Sequence, residues 1–105
     1  TPFDVVVVDC SFISLRRILP PVPGLLRPGG SILALVKPQF EAGKAEADRG
    51  AGVISDPAVH ARVLAELEAF VHAELPTLRW LGHVESPLLG PAGNREFLAH
   101  ITALP

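Results

Sequence analysis

The chain has one cysteine, few charges and no long apolar run. A lone thiol, Cys10, excludes an internal disulfide and points to a reducing compartment, the cytoplasm. Charged residues make up 19% of the 105, and the formal net charge is −2. The strong basic excess of a stand-alone nucleic-acid binder is therefore missing. No apolar run approaches the roughly 18–20 residues that cross a bilayer as a helix, so no membrane partner is expected. No signal-peptide pattern, internal repeat or low-complexity tract is visible. The four histidines show no metal-ligand spacing, and no metal is expected. A starting methionine is missing too: Thr1-Pro2-Phe3 leads within two residues into a core-strand pattern, as in a piece cut from a longer domain. What is present is a hydrophobic content of 49%, enough for a real core, in a length that suits one domain over 1–105.

Two apolar runs organise the chain. Asp4–Asp9 holds four consecutive valines, and Ser31–Glu41 runs through Ile32–Val36 before Lys37-Pro38. Unbroken apolar runs with β-branched residues between turn signals read as strands buried on both faces, hence a parallel sheet with helices on either side. Between them, Ser14 is a candidate N-cap for a short helix reaching about Leu19. Pro20, Pro21 and Pro23 break that helix, and another turn over Val22–Leu26 follows. Pro28-Gly29-Gly30 reads as the turn into the second strand. The strand–helix–strand unit has the length of a right-handed parallel crossover.

Residues Ala42–Ser55 have no period, hold three glycines and read as a mobile loop of the kind that carries function. Asp56-Pro57 is a strong helix start. Val59, Val63, Leu67, Phe70, Val71 and Leu75 then recur at helical spacing until Pro76, with His60 and His72 on the wetter side. Leu78–Glu85 reads as a more exposed third strand, and Glu96–Ala103 as a last strand antiparallel to it.

This topology brings charges to one edge. Asp9 and Lys37 end two parallel strands, and Glu96 begins a strand running the other way. All three face the edge where open α/β sheets place their ligands. Asn94 and Arg95 sit beside them. An acid–base–acid cluster there is a candidate active site. Other signals carry less. Cys10 has no histidine near it in sequence and reads as a small core residue rather than a nucleophile. Gly43-Lys44 lacks the upstream glycine of a phosphate loop, since that position is Pro38. Gly29-Gly30 precedes a strand, so it is no dinucleotide fingerprint. Arg16, Arg17, Lys44 and Arg49 read as solvated charge, and Trp80 as packing or an oligomer contact rather than a base-stacking platform.

Three stretches carry a resemblance: Asp9-Cys10-Ser11-Phe12-Ile13-Ser14-Leu15, Leu35-Val36-Lys37-Pro38-Gln39-Phe40-Glu41, and Gly90-Pro91-Ala92-Gly93-Asn94-Arg95-Glu96-Phe97. With Gly52-Val53-Ile54-Ser55-Asp56-Pro57 before the long helix, they resemble the TlyA (hemolysin A) family of FtsJ-like RNA methyltransferases over essentially the whole chain. The resemblance implies an α/β fold: a partial Rossmann-like methyltransferase sheet, parallel strands plus a terminal antiparallel strand, with helices on the faces. It implies S-adenosylmethionine as cofactor and 2′-O-methylation of ribosomal RNA through a Lys-Asp-Lys-Glu tetrad. The last three members map to Asp9, Lys37 and Glu96, as catalytic residues. The first lysine, the Gly-rich cofactor loop and the family's RNA-binding domain map upstream of Thr1. By position, Asp9, Cys10 and Ser11 line the methionine side of the cofactor, and Asn94 and Arg95 contact substrate. On this reading, 1–105 is the C-terminal half of the methyltransferase domain, binds the cofactor weakly or not at all alone, and is inactive in isolation. A lysine flanked by carboxylates holds its proton, so Lys37 suits stabilisation of a nascent 2′-alkoxide better than a role as base. The competing reading is a non-catalytic oligomerisation or protein-interaction module that dimerises through the uncovered edge of Asp4–Asp9. Pore formation, suggested by the hemolysin label, lacks a basic amphipathic segment to carry it.

Overall fold

Valines 5 to 8, stiff at χ1 and suited to a pleated surface, build strand β1, Phe3–Val8, in the computed structural model. The structure describes residues 2–105, apart from the side chains of residues 44 and 45. Ser14 caps helix α1, Leu15–Ile18, its hydroxyl accepting from the Arg16 N–H, as the sequence predicts. The prolines end α1 and leave a 3-10 turn over Val22–Leu25. Strand β2 then runs from Leu26 to Val36, five residues earlier than the predicted start. Pro28-Gly29-Gly30 does not separate elements. It forms an irregularity inside β2, where the partner of β1 jumps from Leu26 to Ser31 while β1 advances from Phe3 to Val5. Gly29, at φ +80°, supplies the backbone conformation that bulge requires.

After β2 the chain turns at once into helix α2, Pro38–Glu41, so Ser31–Glu41 is strand only as far as Val36. Proline at the first helical position and Lys37 in an extended conformation explain the switch. The stretch expected as a mobile loop contains helix α3, Lys44–Arg49, where Glu46 reaches back to the Gly43 N–H. Helix α4, Pro57–Glu74, starts on the Asp56 cap, with the Asp56 carboxylate accepting from the Ala58 N–H. Strands β3, Leu78–Glu85, and β4, Phe97–Ala103, complete the sheet.

The strand order is β1-β2-β4-β3, with β1 parallel to β2 and the other pairs antiparallel. Helices α1 and α4 cover the face carrying Val8, Ile32, Ala34, Val36, Ala99 and Ile101, and this is the core. The other face departs from the expectation for β2. Leu33 and Leu35 are half-buried there, so β2 is fully buried on one face only. Val5 and Val7 on the same side are exposed. His60 also departs from expectation. It is buried, its Nε2 lies 2.7 Å from the Ile54 carbonyl, and its ring meets Phe97 edge-on. A backbone partner inside the core outweighs the polarity that suggested a wet position.

Candidate active site

Register fixes the site. Val36, the last residue of β2, pairs with Phe97, the first of β4, so Lys37 and Glu96 leave the sheet at the same edge. Val8 pairs with Ala34 in the parallel ladder, which brings Asp9 to that edge as well. The Lys37 ammonium lies 2.6 Å from the Asp9 carboxylate and 3.2 Å from the Ser11 hydroxyl oxygen. Exposure is unequal: 12% for the Lys37 side chain against 58% for Asp9. The cation is thus sunk in the floor of the edge while its counter-charge stands in solvent. Ser11 and Phe12 are exposed, and Cys10 is half-buried against the core.

Glu96 is differently placed. It is 8% exposed, and its carboxylate accepts from Gln39 Nε2 at 3.1 Å. The expected cluster of three charges is therefore a lysine paired with one carboxylate, plus a second carboxylate held by an amide on the next turn. Asn94, expected to touch substrate, is only 2% exposed. Its amide accepts from the Ile54 N–H at 2.9 Å and donates to the carbonyls of Gly52 and Pro91 at 2.8 and 3.0 Å. The structure gives it a clamping duty between two loops, with both N–H donors spent. Arg95 is exposed and pairs with Glu85 at 2.7 Å, turned along the sheet rather than onto Glu96. The Lys44 side chain lies outside the described residues. Trp80 is partly buried against the core, in keeping with packing.

Sequence reasoning missed two residues of the edge. Gln39 stands in the Lys37–Glu41 stretch but bears no charge, so a search for titratable clusters passes over it. Glu41 accepts from the Ser14 hydroxyl at 2.6 Å and from the Leu15 N–H at 2.8 Å. It thereby ties the segment after β2 to the start of α1. Burial raises its pKa above the ordinary 4.5, against the opposing pull of the Ser14 and Leu15 hydrogen bonds and of Arg16. Phe12 and Phe40, with ring centroids 4.8 Å apart, join the same two segments. Among the described residues, no group of three or more His, Cys, Asp or Glu side chains is placed to hold a metal ion.

A mixed sheet with two parallel strands, an antiparallel neighbour and a charged cluster at the strand ends is part of a methyltransferase-type α/β fold. The chain belongs to the FtsJ-like methyltransferase family, which it matches over residues 1–102. It is 48% identical over 94 residues to YqxC of Bacillus subtilis, which carries an rRNA methyltransferase name, covering 90% of this chain and 32% of YqxC. It is 45% identical over 97 residues to the 16S/23S rRNA (cytidine-2′-O)-methyltransferase TlyA of Mycobacterium tuberculosis, covering 90% of this chain and 34% of TlyA. A solved structure from Streptococcus thermophilus, named as a hemolysin, superposes with a TM-score of 0.86 at 40% identity, over 96% of this chain and 35% of that one. The chain thus spans about a third of the length of the curated relatives it matches.

Proposed function

We propose that residues 1–105 are the C-terminal part of the methyltransferase domain of an S-adenosylmethionine-dependent rRNA 2′-O-ribose methyltransferase of the TlyA type, acting in the cytoplasm. The observation that carries this reading is the Lys37–Asp9 pair at the strand ends, 2.6 Å apart, with Ser11 as the second partner of the ammonium. A ribose hydroxyl is a poor nucleophile, and its attack requires that the developing negative charge be met. An ammonium has three N–H groups. Among the described residues, the ammonium of Lys37 meets Asp9 and Ser11, which leaves one N–H for a substrate oxygen. With the side chain largely removed from water, that N–H acts in a medium less polar than bulk solvent, where charge stabilisation is stronger. Lys37 is then the cation facing the nascent 2′-alkoxide. Asp9 holds the ammonium in place, and Glu96 shapes the opposite side of the edge.

The residues present fit part of a cofactor site. S-adenosylmethionine supplies, when bound, a methyl carbon made electrophilic by a sulfonium. The exposed Asp9 carboxylate offers a counter-charge for a cationic ligand, and the exposed Ser11 hydroxyl offers a polar contact beside it. These are contacts to one end of such a molecule. The isolated chain accordingly binds it weakly or not at all and performs no transfer. Ribosomal RNA is the proposed substrate, on the strength of the similarity to TlyA.

The test is transfer of labelled methyl from S-adenosylmethionine to rRNA by the protein that carries this chain. A 2′-O-methyl blocks alkaline cleavage at its own nucleotide, so the product maps as an alkali-resistant linkage. A label that goes to a base, or none incorporated, sinks the proposal.

A further inference from the structure

The structure assigns a positioning role to Gln39: it holds the Glu96 carboxylate at the edge where Lys37 works. This rests on the methyltransferase reading above. Strand β2 lies between β1 and β4, and the three residues that follow it send one polar group to each side. Lys37 turns to Asp9 after β1, and Gln39 turns to Glu96 before β4. Pro38 between them is fully buried at the first position of α2, and the Phe40 N–H closes on the Lys37 carbonyl at 2.9 Å. The turn is therefore rigid, and the two arms keep a fixed separation.

Three further observations separate this from ordinary packing. Gln39 is only 8% exposed, and its Oε1 is buried with no hydrogen-bond partner among the described residues. The amide cannot be turned to relieve this, because Oε1 would then face a carboxylate oxygen. An orphaned buried acceptor is destabilising, but removing the amide would strand the buried Glu96 carboxylate, so Gln39 carries the unpaired Oε1 as the cost of its bond to Glu96. Gln39 is thus placed to present its donor to Glu96. Gly90 completes the cradle: a Cβ there would collide with the Glu96 carboxylate, so the loop before β4 passes directly against it. The carboxylate is fixed by an amide on one side and a bare backbone on the other.

The experiment uses the protein that carries this chain, with S-adenosylmethionine and rRNA. Gln39→Met should lower kcat by about tenfold to hundredfold, the range a small misplacement in an active site produces. KM for S-adenosylmethionine should stay within about twofold. The exchanged pair Gln39→Glu with Glu96→Gln restores an amide–carboxylate hydrogen bond but moves the charge to α2. It should recover the melting temperature and not kcat. Recovery of kcat by the exchanged pair, or near-normal kcat in Gln39→Met, overturns the assignment. A readout independent of activity is the NMR signal of the Gln39 side-chain amide protons, which should shift on Glu96→Ala. No shift overturns the positioning claim even in a protein that transfers methyl. A shift in a protein that transfers none leaves the hydrogen bond standing and defeats the methyltransferase reading instead.

Discussion

Asn94 shows how a polar residue beside a candidate site can belong to the scaffold. Its side chain satisfies the buried Ile54 N–H and two carbonyls, one of which, that of Pro91, also accepts from the Asn94 backbone at 3.1 Å. Asn94→Ala leaves the Ile54 N–H as the main unpaired group, since Gly52 is exposed and water can replace the lost donor there. The loss should be about 1–3 kcal/mol in a denaturant titration, the cost of one orphaned buried donor. An unchanged midpoint would show that the two loops hold without the clamp. Charge guided the reading of the other residues, with mixed results. Asp9 and Lys37 were legible as neighbours because each follows an apolar run at the end of a parallel strand. Gln39 was not, because its bond to Glu96 spans 57 positions and involves no charge on its own side. His60 was misplaced because polarity suggested solvent while the Ile54 carbonyl drew its ring inward.

At the scale of elements, the site depends on how the segments after β1 and β2 are joined. Glu41 makes that joint with Ser14 and the Leu15 N–H, and burial raises its pKa above 4.5. A carboxyl whose pKa is higher folded than unfolded contributes stability that is complete below the unfolded value and lost as pH rises through the folded one. Glu41→Gln removes that dependence. The melting temperature of the wild type, relative to the variant, should therefore fall as pH rises from about 4.5 through the raised value. Parallel pH curves for the two proteins would contradict the burial of the Glu41 carboxyl at that joint. The caps of α1 and α4 were readable because Ser14 and Asp56 announce themselves locally. Helix α3 was hidden, being six residues of small and charged side chains with no apolar period. The glycines inside β2 misled, because the same residues that make a turn also make a bulge.

The whole molecule is a sheet covered by helices α1 and α4 on one side. Its β1 edge is unpaired in the described chain, and Val5 and Val7 stand exposed beside it. Unpaired edges of this kind pair with other chains unless guarded. This favours, as a second reading, an oligomerisation surface in the isolated chain. Size-exclusion chromatography should show a dimer that Val7→Lys converts to monomer, and a monomer at all concentrations would remove that reading. Among the described residues, no helix is long and apolar enough to cross a membrane. The edge chemistry is a separate matter, and it converges on one ammonium. The most direct measurement compares Lys37→Met with wild type in the protein that carries this chain, following methyl transfer to rRNA and S-adenosylmethionine affinity together. Lys37→Met should lose transfer by roughly a hundredfold or more, as for other charge-stabilising donors, with affinity within about threefold. Near-normal transfer by Lys37→Met would contradict it.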